Sequence, residues 1–146
     1  MKPTLCFVDD DRFYALTWIE KLRENHDVIH CTDAVEAYKR IVADPKIRCL
    51  VLDVMMPTPS GVSESETAEG FETGLWLLKK IHDHVRKRPL PVVILSNRDV
   101  DRIVSQVEPL KLPEGLVVIR RKLDTQRRAL VEIVQNLLTT WPSPTH

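Results

Sequence analysis

Five short apolar runs separated by segments of helical period constrain this chain more than any other feature. The runs are Leu5 to Val8, Val28 to Cys31, Cys49 to Leu52, Val92 to Leu95 and Leu116 to Ile119. Each has about the length of a strand buried on both faces. Between them, Leu16, Ile19 and Leu22 share a helical face after Asp11, and Ala34, Val35, Tyr38, Ile41 and Val42 share one after Asp33. Leu77, Leu78, Ile81 and Val85 make a third face with Thr73 as its N-cap, and Val100, Ile103, Val104 and Val107 a fourth that ends before Pro109. The longest stripe, Leu130, Val134, Leu137, Leu138 and Trp141, follows Asp124. Parallel neighbours need crossover helices, so this alternation predicts an α/β fold, a doubly wound five-stranded parallel sheet with helices on both faces.

With 146 residues, 43% of them hydrophobic, the chain suits one domain, placed at 1–141, with 142–146 as a frayed tail. Lys plus Arg and Asp plus Glu both number 21, which gives no electrostatic reason to expect a nucleic acid or an anionic membrane as partner. No run approaches the roughly 18 apolar residues of a membrane span, so a cytoplasmic protein is expected. Cys6, Cys31 and Cys49 each lie inside an apolar run and read as buried free thiols. The histidines read as solvated, and His82 and His84 would face different sides of a helix, which excludes a metal pair there. Trp76 and Trp141 read as packing residues. Residues 58–73 break the alternation as a small, polar, acidic insertion, expected to be a mobile loop, with Glu64, Glu66, Glu69 and Glu72 on it.

In an open parallel sheet, ligands sit beyond the carboxyl ends of the strands, so the residues that end each run should converge. The first run ends in Asp9-Asp10-Asp11, the third in Asp53 and the fourth in Ser96, and the fifth leads to Lys122. Two carboxylates about 4 Å apart repel by about 4 kcal/mol at an effective dielectric of about 20, so the cluster calls for a cation. All-oxygen ligation with room for water suits Mg²⁺. Such a site fits a phosphoryl group, screened by the metal, with the Ser96 hydroxyl donating to one oxygen and Lys122 neutralising another.

The segments Val8-Asp9-Asp10-Asp11, Leu52-Asp53-Val54-Met55-Met56-Pro57, Gly74-Leu75-Trp76-Leu77-Leu78-Lys79, Val93-Ile94-Leu95-Ser96 and Lys122 resemble, in order, the motifs of response regulator receiver domains of two-component signalling. The resemblance spans essentially the whole chain and implies a flavodoxin-like sheet of strand order 2-1-3-4-5. It implies that Asp53 accepts a phosphoryl group from a histidine kinase or phosphotransfer protein. Asp9, Asp10, Asp53 and the Met55 backbone carbonyl would hold Mg²⁺, Ser96 and Lys122 would contact the phosphoryl group, and Asp11 would cap the first helix. Output would pass to a downstream protein or a homodimer, with no enzymatic activity beyond self-catalysed phosphorylation and slow autodephosphorylation.

Departures from the family pattern carry their own expectations. The insertion lengthens the loop before Gly74. Leu123 replaces the proline that normally forms a cis peptide after the lysine, and because a non-proline cis bond costs about 2.5 to 4 kcal/mol, a trans or rearranged junction is expected. Ile119 stands where the family has an aromatic switch residue, and Asn97 where it has a small one. Met55 and Arg98, two past the acceptor and two past the hydroxyl, offer no group to orient a water, which predicts a long-lived phosphoryl group. Two rival functions accompany this reading: a receiver-like interaction module that is never phosphorylated, and a haloacid dehalogenase-like phosphatase that uses Asp9 as nucleophile.

Overall fold

A computed structural model describes residues 2–142, so Ser143 to His146 of the expected tail lie outside the described residues. The five apolar runs form strands β1 (Thr4–Val8), β2 (Asp27–Cys31), β3 (Ile47–Leu52), β4 (Val92–Ser96) and β5 (Val117–Arg121). They pair in parallel in the order β2-β1-β3-β4-β5. Helices α1 (Arg12–Leu22), α2 (Ala34–Ala43), α3 (Thr73–Lys87), α4 (Val100–Val107) and α5 (Arg127–Thr140) provide the connections and the C-terminal cover. This is the flavodoxin-like topology that the motifs imply.

Successive strand side chains point to opposite faces, and β1 shows what that produces here. Leu5 and Phe7 enter the core beneath α1 and α5, with Trp18, Leu22, Leu130 and Val134. Cys6 and Val8 enter the other core, beneath α2 and α3, with Ile41, Leu77, Leu78 and Ile81. All three cysteines are buried and free, as expected. Trp76 and Trp141 are partly buried against the cores.

Local capping follows the sequence at two helices and departs from it at two others. Asp11 accepts the Tyr14 N–H at 2.9 Å and Asp33 the Glu36 N–H at 3.0 Å, each satisfying a donor in a helical first turn. Thr73, by contrast, is the first residue of α3 rather than its cap. Its buried hydroxyl donates to the Met56 carbonyl at 2.6 Å, because the insertion returns the chain against the end of β3. The last helix starts at Arg127, not directly after Asp124, since Lys122–Asp124 form a separate 3₁₀ turn.

Two histidines are not solvated. His26 is 3% exposed, with Nδ1 3.0 Å from the Leu22 carbonyl at the end of α1, where the helix leaves carbonyls without partners. His30 places Nε2 2.8 Å from the Asp9 carbonyl and sets its ring edge-on to Phe7.

The insertion is a hydrogen-bonded structure rather than an open polar loop. It contains a 3₁₀ turn at Glu64–Thr67, entered where the Ser63 N–H donates to Glu66 at 3.0 Å. Thr58 bonds Glu64 at 2.8 Å and Thr67 at 2.6 Å, and Thr67 is fully buried. Gly70, at φ +91°, crosses so close to β3's exit that a Cβ there would lie 2.8 Å from the Met56 oxygen.

Gly74 makes the tightest approach of all. A Cβ on it would sit 2.0 Å from the Asp53 carbonyl oxygen and 2.8 Å from the Val54 Cα, both backbone atoms with no room to yield. Its N–H donates to the Val54 carbonyl at 2.9 Å, fastening α3 to the strand that carries Asp53. Gly74→Ala is therefore expected to destabilise the protein by about 3 kcal/mol or more in urea denaturation, the upper range for overpacking, because backbone rather than side chain must move.

Candidate functional site

Strand register brings the candidate residues together. Val8 lies opposite Leu52, Leu52 opposite Ile94, and Ser96 opposite Arg121, so one edge collects Asp9, Asp53, Ser96 and Lys122. The ladder runs one step past the strands, with the Asp9 N–H on the Cys31 carbonyl at 3.1 Å and the Asp53 N–H on the Val8 carbonyl at 2.9 Å. These bonds position the two aspartates through their backbones, which leaves their carboxylates free for the edge.

Asp9, Asp10 and Asp53 each offer a carboxylate oxygen, all within 4.8 Å of one another. Asp9 is 1% exposed and Asp53 7%, while Asp10 faces solvent. Lys122 enters from beyond β5 and donates to Asp9 Oδ2 at 3.0 Å and Asp53 Oδ2 at 3.1 Å. The remaining oxygens accept backbone donors: Asp9 Oδ1 the Asp11 N–H at 2.9 Å, and Asp53 Oδ1 the Val54 N–H at 2.8 Å.

Burial pushes the Asp53 carboxyl above its ordinary range and the Asp9 charge adds to that, with Lys122 and the Ser96 hydroxyl pulling against them. Asp10 is raised too, by burial first and Asp9 second. For Lys122, burial favours the neutral amine, but Asp53 and Asp9 together outweigh it and hold the pKa above its usual value. One ammonium is thus shared between two buried carboxylates, and Asp53 is still held above its ordinary range. That imbalance, with oxygen donors converging, fits a small hard divalent cation such as Mg²⁺.

Ser96 is 1% exposed and accepts the Arg98 N–H at 3.3 Å, while Asp99 rather than Ser96 caps α4 through the Asp101 N–H at 2.9 Å. The Lys122–Leu123 peptide is trans, as expected, because no described peptide bond is cis. Ile119 is half-buried and lines a shallow cleft of about 280 Å³ with Val104, Val107 and Val117. Met55 is 38% exposed at the rim of the site.

Comparison with solved structures identifies the architecture. The receiver domain of a Francisella response regulator superposes with a TM-score of 0.71 at 22% identity, over 95% of this chain and 98% of that one. The fold is that of receiver domains. A CheY-like receiver domain from Methanospirillum hungatei JF-1 gives a TM-score of 0.72 at 17% identity, covering 97% of each chain. NtrX from Brucella abortus matches over 96% of this chain but 28% of its own, with a TM-score of 0.71 at 21% identity. No family model and no curated protein matches the sequence.

Beside the carboxylate cluster lies an ion-pair clamp that the sequence did not disclose. Glu72, the last acidic residue of the insertion, receives Arg102 Nε at 2.6 Å and Nη2 at 3.2 Å, and Arg98 Nη2 at 3.5 Å. Arg98 also covers the Phe71 ring at 5.5 Å. The partners are separated along the chain by β4, so only the fold could pair them. His30, behind Asp9, was missed for the same reason.

Hydrogen bonds from Arg102, helped by Arg98, hold the Glu72 carboxyl below its ordinary range against the opposing effect of burial. A lowered folded-state pKa contributes stability that is complete above the unfolded value of 4.5 and disappears as pH falls through the folded one. Glu72→Gln is therefore expected to unfold at lower urea concentration than the unmodified protein at neutral pH. The difference should close in acid below that window; a gap independent of pH would mean that the clamp acts through packing alone.

Proposed function

We propose that the protein is a phosphoacceptor receiver whose acceptor is Asp53, with Mg²⁺ held by Asp9, Asp10, Asp53 and the Met55 backbone carbonyl. The observation that carries this reading is the contact of Lys122 with both Asp9 and Asp53 at a crowded carboxylate edge. Mg²⁺ bound there would screen the negative charge of an incoming phosphoryl group. An Asp53 carboxylate oxygen attacks phosphorus, an O–P bond forms, and the bond to the donor breaks. The electron pair leaves with the donor, an imidazole from a histidine kinase or phosphotransfer protein, or a carboxylate from a small acyl phosphate. Lys122 neutralises one phosphoryl oxygen, and the Ser96 hydroxyl donates to another.

The protein thereby acts as a signalling module, not an enzyme with turnover on a separate substrate, and passes its state to a downstream protein. Free buried cysteines support a cytoplasmic setting, and no described helix is long and apolar enough to cross a membrane. Ile119 presents no ring to switch, whereas the Glu72 clamp links the insertion to Arg98, whose N–H bonds Ser96. A Ser96 hydroxyl drawn toward a phosphoryl group would pull on that clamp, so the insertion and α4 form the readout.

Incubation with Mg²⁺ and acetyl phosphate, followed by reduction and mass spectrometric mapping, is expected to place the label on Asp53. Label on Asp9 would identify a phosphatase, and no label an interaction module. In calorimetric titration, Asp10→Asn is expected to weaken Mg²⁺ binding about tenfold or more, since few protein ligands share the load. Met55→Asn, by supplying an amide that can orient water, is expected to shorten the lifetime of the aspartyl phosphate about tenfold or more, measured by loss of ³²P label.

A further inference from the structure

Lys122 hangs from a segment that does little to aim it. Its backbone belongs to the short turn Lys122–Asp124, where Leu123 is 74% exposed and Asp124 faces solvent. The side chain nevertheless runs inward and is only 9% exposed. A flexible four-carbon stem that ends in a point charge needs lateral support to keep one direction.

That support comes from α1. The Lys122 ammonium lies 4.8 Å from the centroid of the Tyr14 ring, inside the range of about 6 Å for attraction between a cation and an aromatic face. The ring is itself held. Asp11 fixes the backbone beneath it by accepting the Tyr14 backbone N–H, and buried Trp18 packs against the ring itself at 6.3 Å between centroids. Arg127, at the start of α5, sits 4.4 Å from the Trp18 ring and 6.0 Å from the Tyr14 ring, while donating to Thr17 Oγ1 at 2.9 Å. A ladder of cation, ring, cation and ring therefore joins the ammonium to the faces of α1 and α5.

We propose that Tyr14 is a positioning residue for phosphoryl transfer to Asp53, its ring face fixing the direction of the Lys122 ammonium; this rests on Asp53 being the acceptor. In the resting site the carboxylates attract Lys122 without help. Once an Asp53 oxygen is committed to phosphorus, its charge passes to the phosphoryl group and that attraction moves. The Tyr14 ring is neutral and does not change through the transfer, so it keeps the ammonium in place while its anionic partners exchange. Because the ring acts through the Lys122 ammonium, its effect falls on the rate at saturation and not on donor binding.

The test measures phosphorylation by acetyl phosphate with Mg²⁺ in the intact chain, alongside Tyr14→Phe and Tyr14→Leu. Tyr14→Leu is expected to lower the saturating rate about tenfold with the half-saturating donor concentration unchanged, and Tyr14→Phe, which keeps the ring, to restore it. A second readout needs no phosphorylation. In proton NMR the Lys122 ε-methylene signals should be shifted upfield by the ring in the unmodified protein and in Tyr14→Phe, and return to ordinary positions in Tyr14→Leu. Should the leucine variant fail to fold, Tyr14→Met takes its place. An unchanged saturating rate, or an ε-methylene shift that persists without the ring, overturns the proposal. Failure of the unmodified protein to take up phosphoryl would overturn the Asp53 reading instead, and the NMR shift would still decide whether Tyr14 holds Lys122.

Discussion

Holding carboxylates of Asp9, Asp10 and Asp53 within 4.8 Å of one another costs about 4 kcal/mol for each charged pair at an effective dielectric of about 20. The sheet imposes this crowding, because the Asp9 and Asp53 backbones extend the ladder between β2, β1 and β3. Lys122 offsets part of the repulsion through its two short contacts, and backbone N–H groups take the outward oxygens. Burial, the larger cause, and the remaining repulsion from Asp9 together raise the pKa values of Asp10 and Asp53. A site stabilised to that extent and no further favours whatever next supplies positive charge.

The same edge explains why the chain around it is so tightly built. Asp53 stays where it is because α3 begins against its backbone, and only a glycine at position 74 lets the helix come that near. The insertion reinforces the arrangement, with Thr73 on the Met56 carbonyl and Gly70 passing over the same atom. Its last carboxylate, Glu72, reaches across to Arg102 of α4 and to Arg98 just before that helix. An acidic segment that looks like a solvated addition therefore braces the strand that leads to Asp53 on one side and the helix after Ser96 on the other.

The strands, the helices, the sheet's parallel sense and the identity of the converging residues were all legible in the chain. Each depends on information carried locally: a buried parallel strand must be apolar throughout, a crossover helix must show its period, and a strand's last residue names itself by ending the apolar run. Asp11 was readable as a cap, and Asp33 as the residue a helix follows, because a cap acts within a single turn. Thr73 was misjudged because its hydroxyl serves a carbonyl brought close only by the insertion's return. His26 and His30 were misjudged because a lone histidine carries no local sign of the carbonyl it will meet.

By itself the sequence determined the order of the elements and the chemistry available at the sheet's carboxyl edge, since hydrophobic period and residue type survive without any knowledge of neighbours. Tertiary structure alone decided the pairings across that edge: Tyr14 beneath Lys122, Glu72 between two arginines, and Gly74 against the Asp53 carbonyl. Interactions between side chains far apart along the chain fall off steeply with distance, so their partners exist only once packing has set the distances.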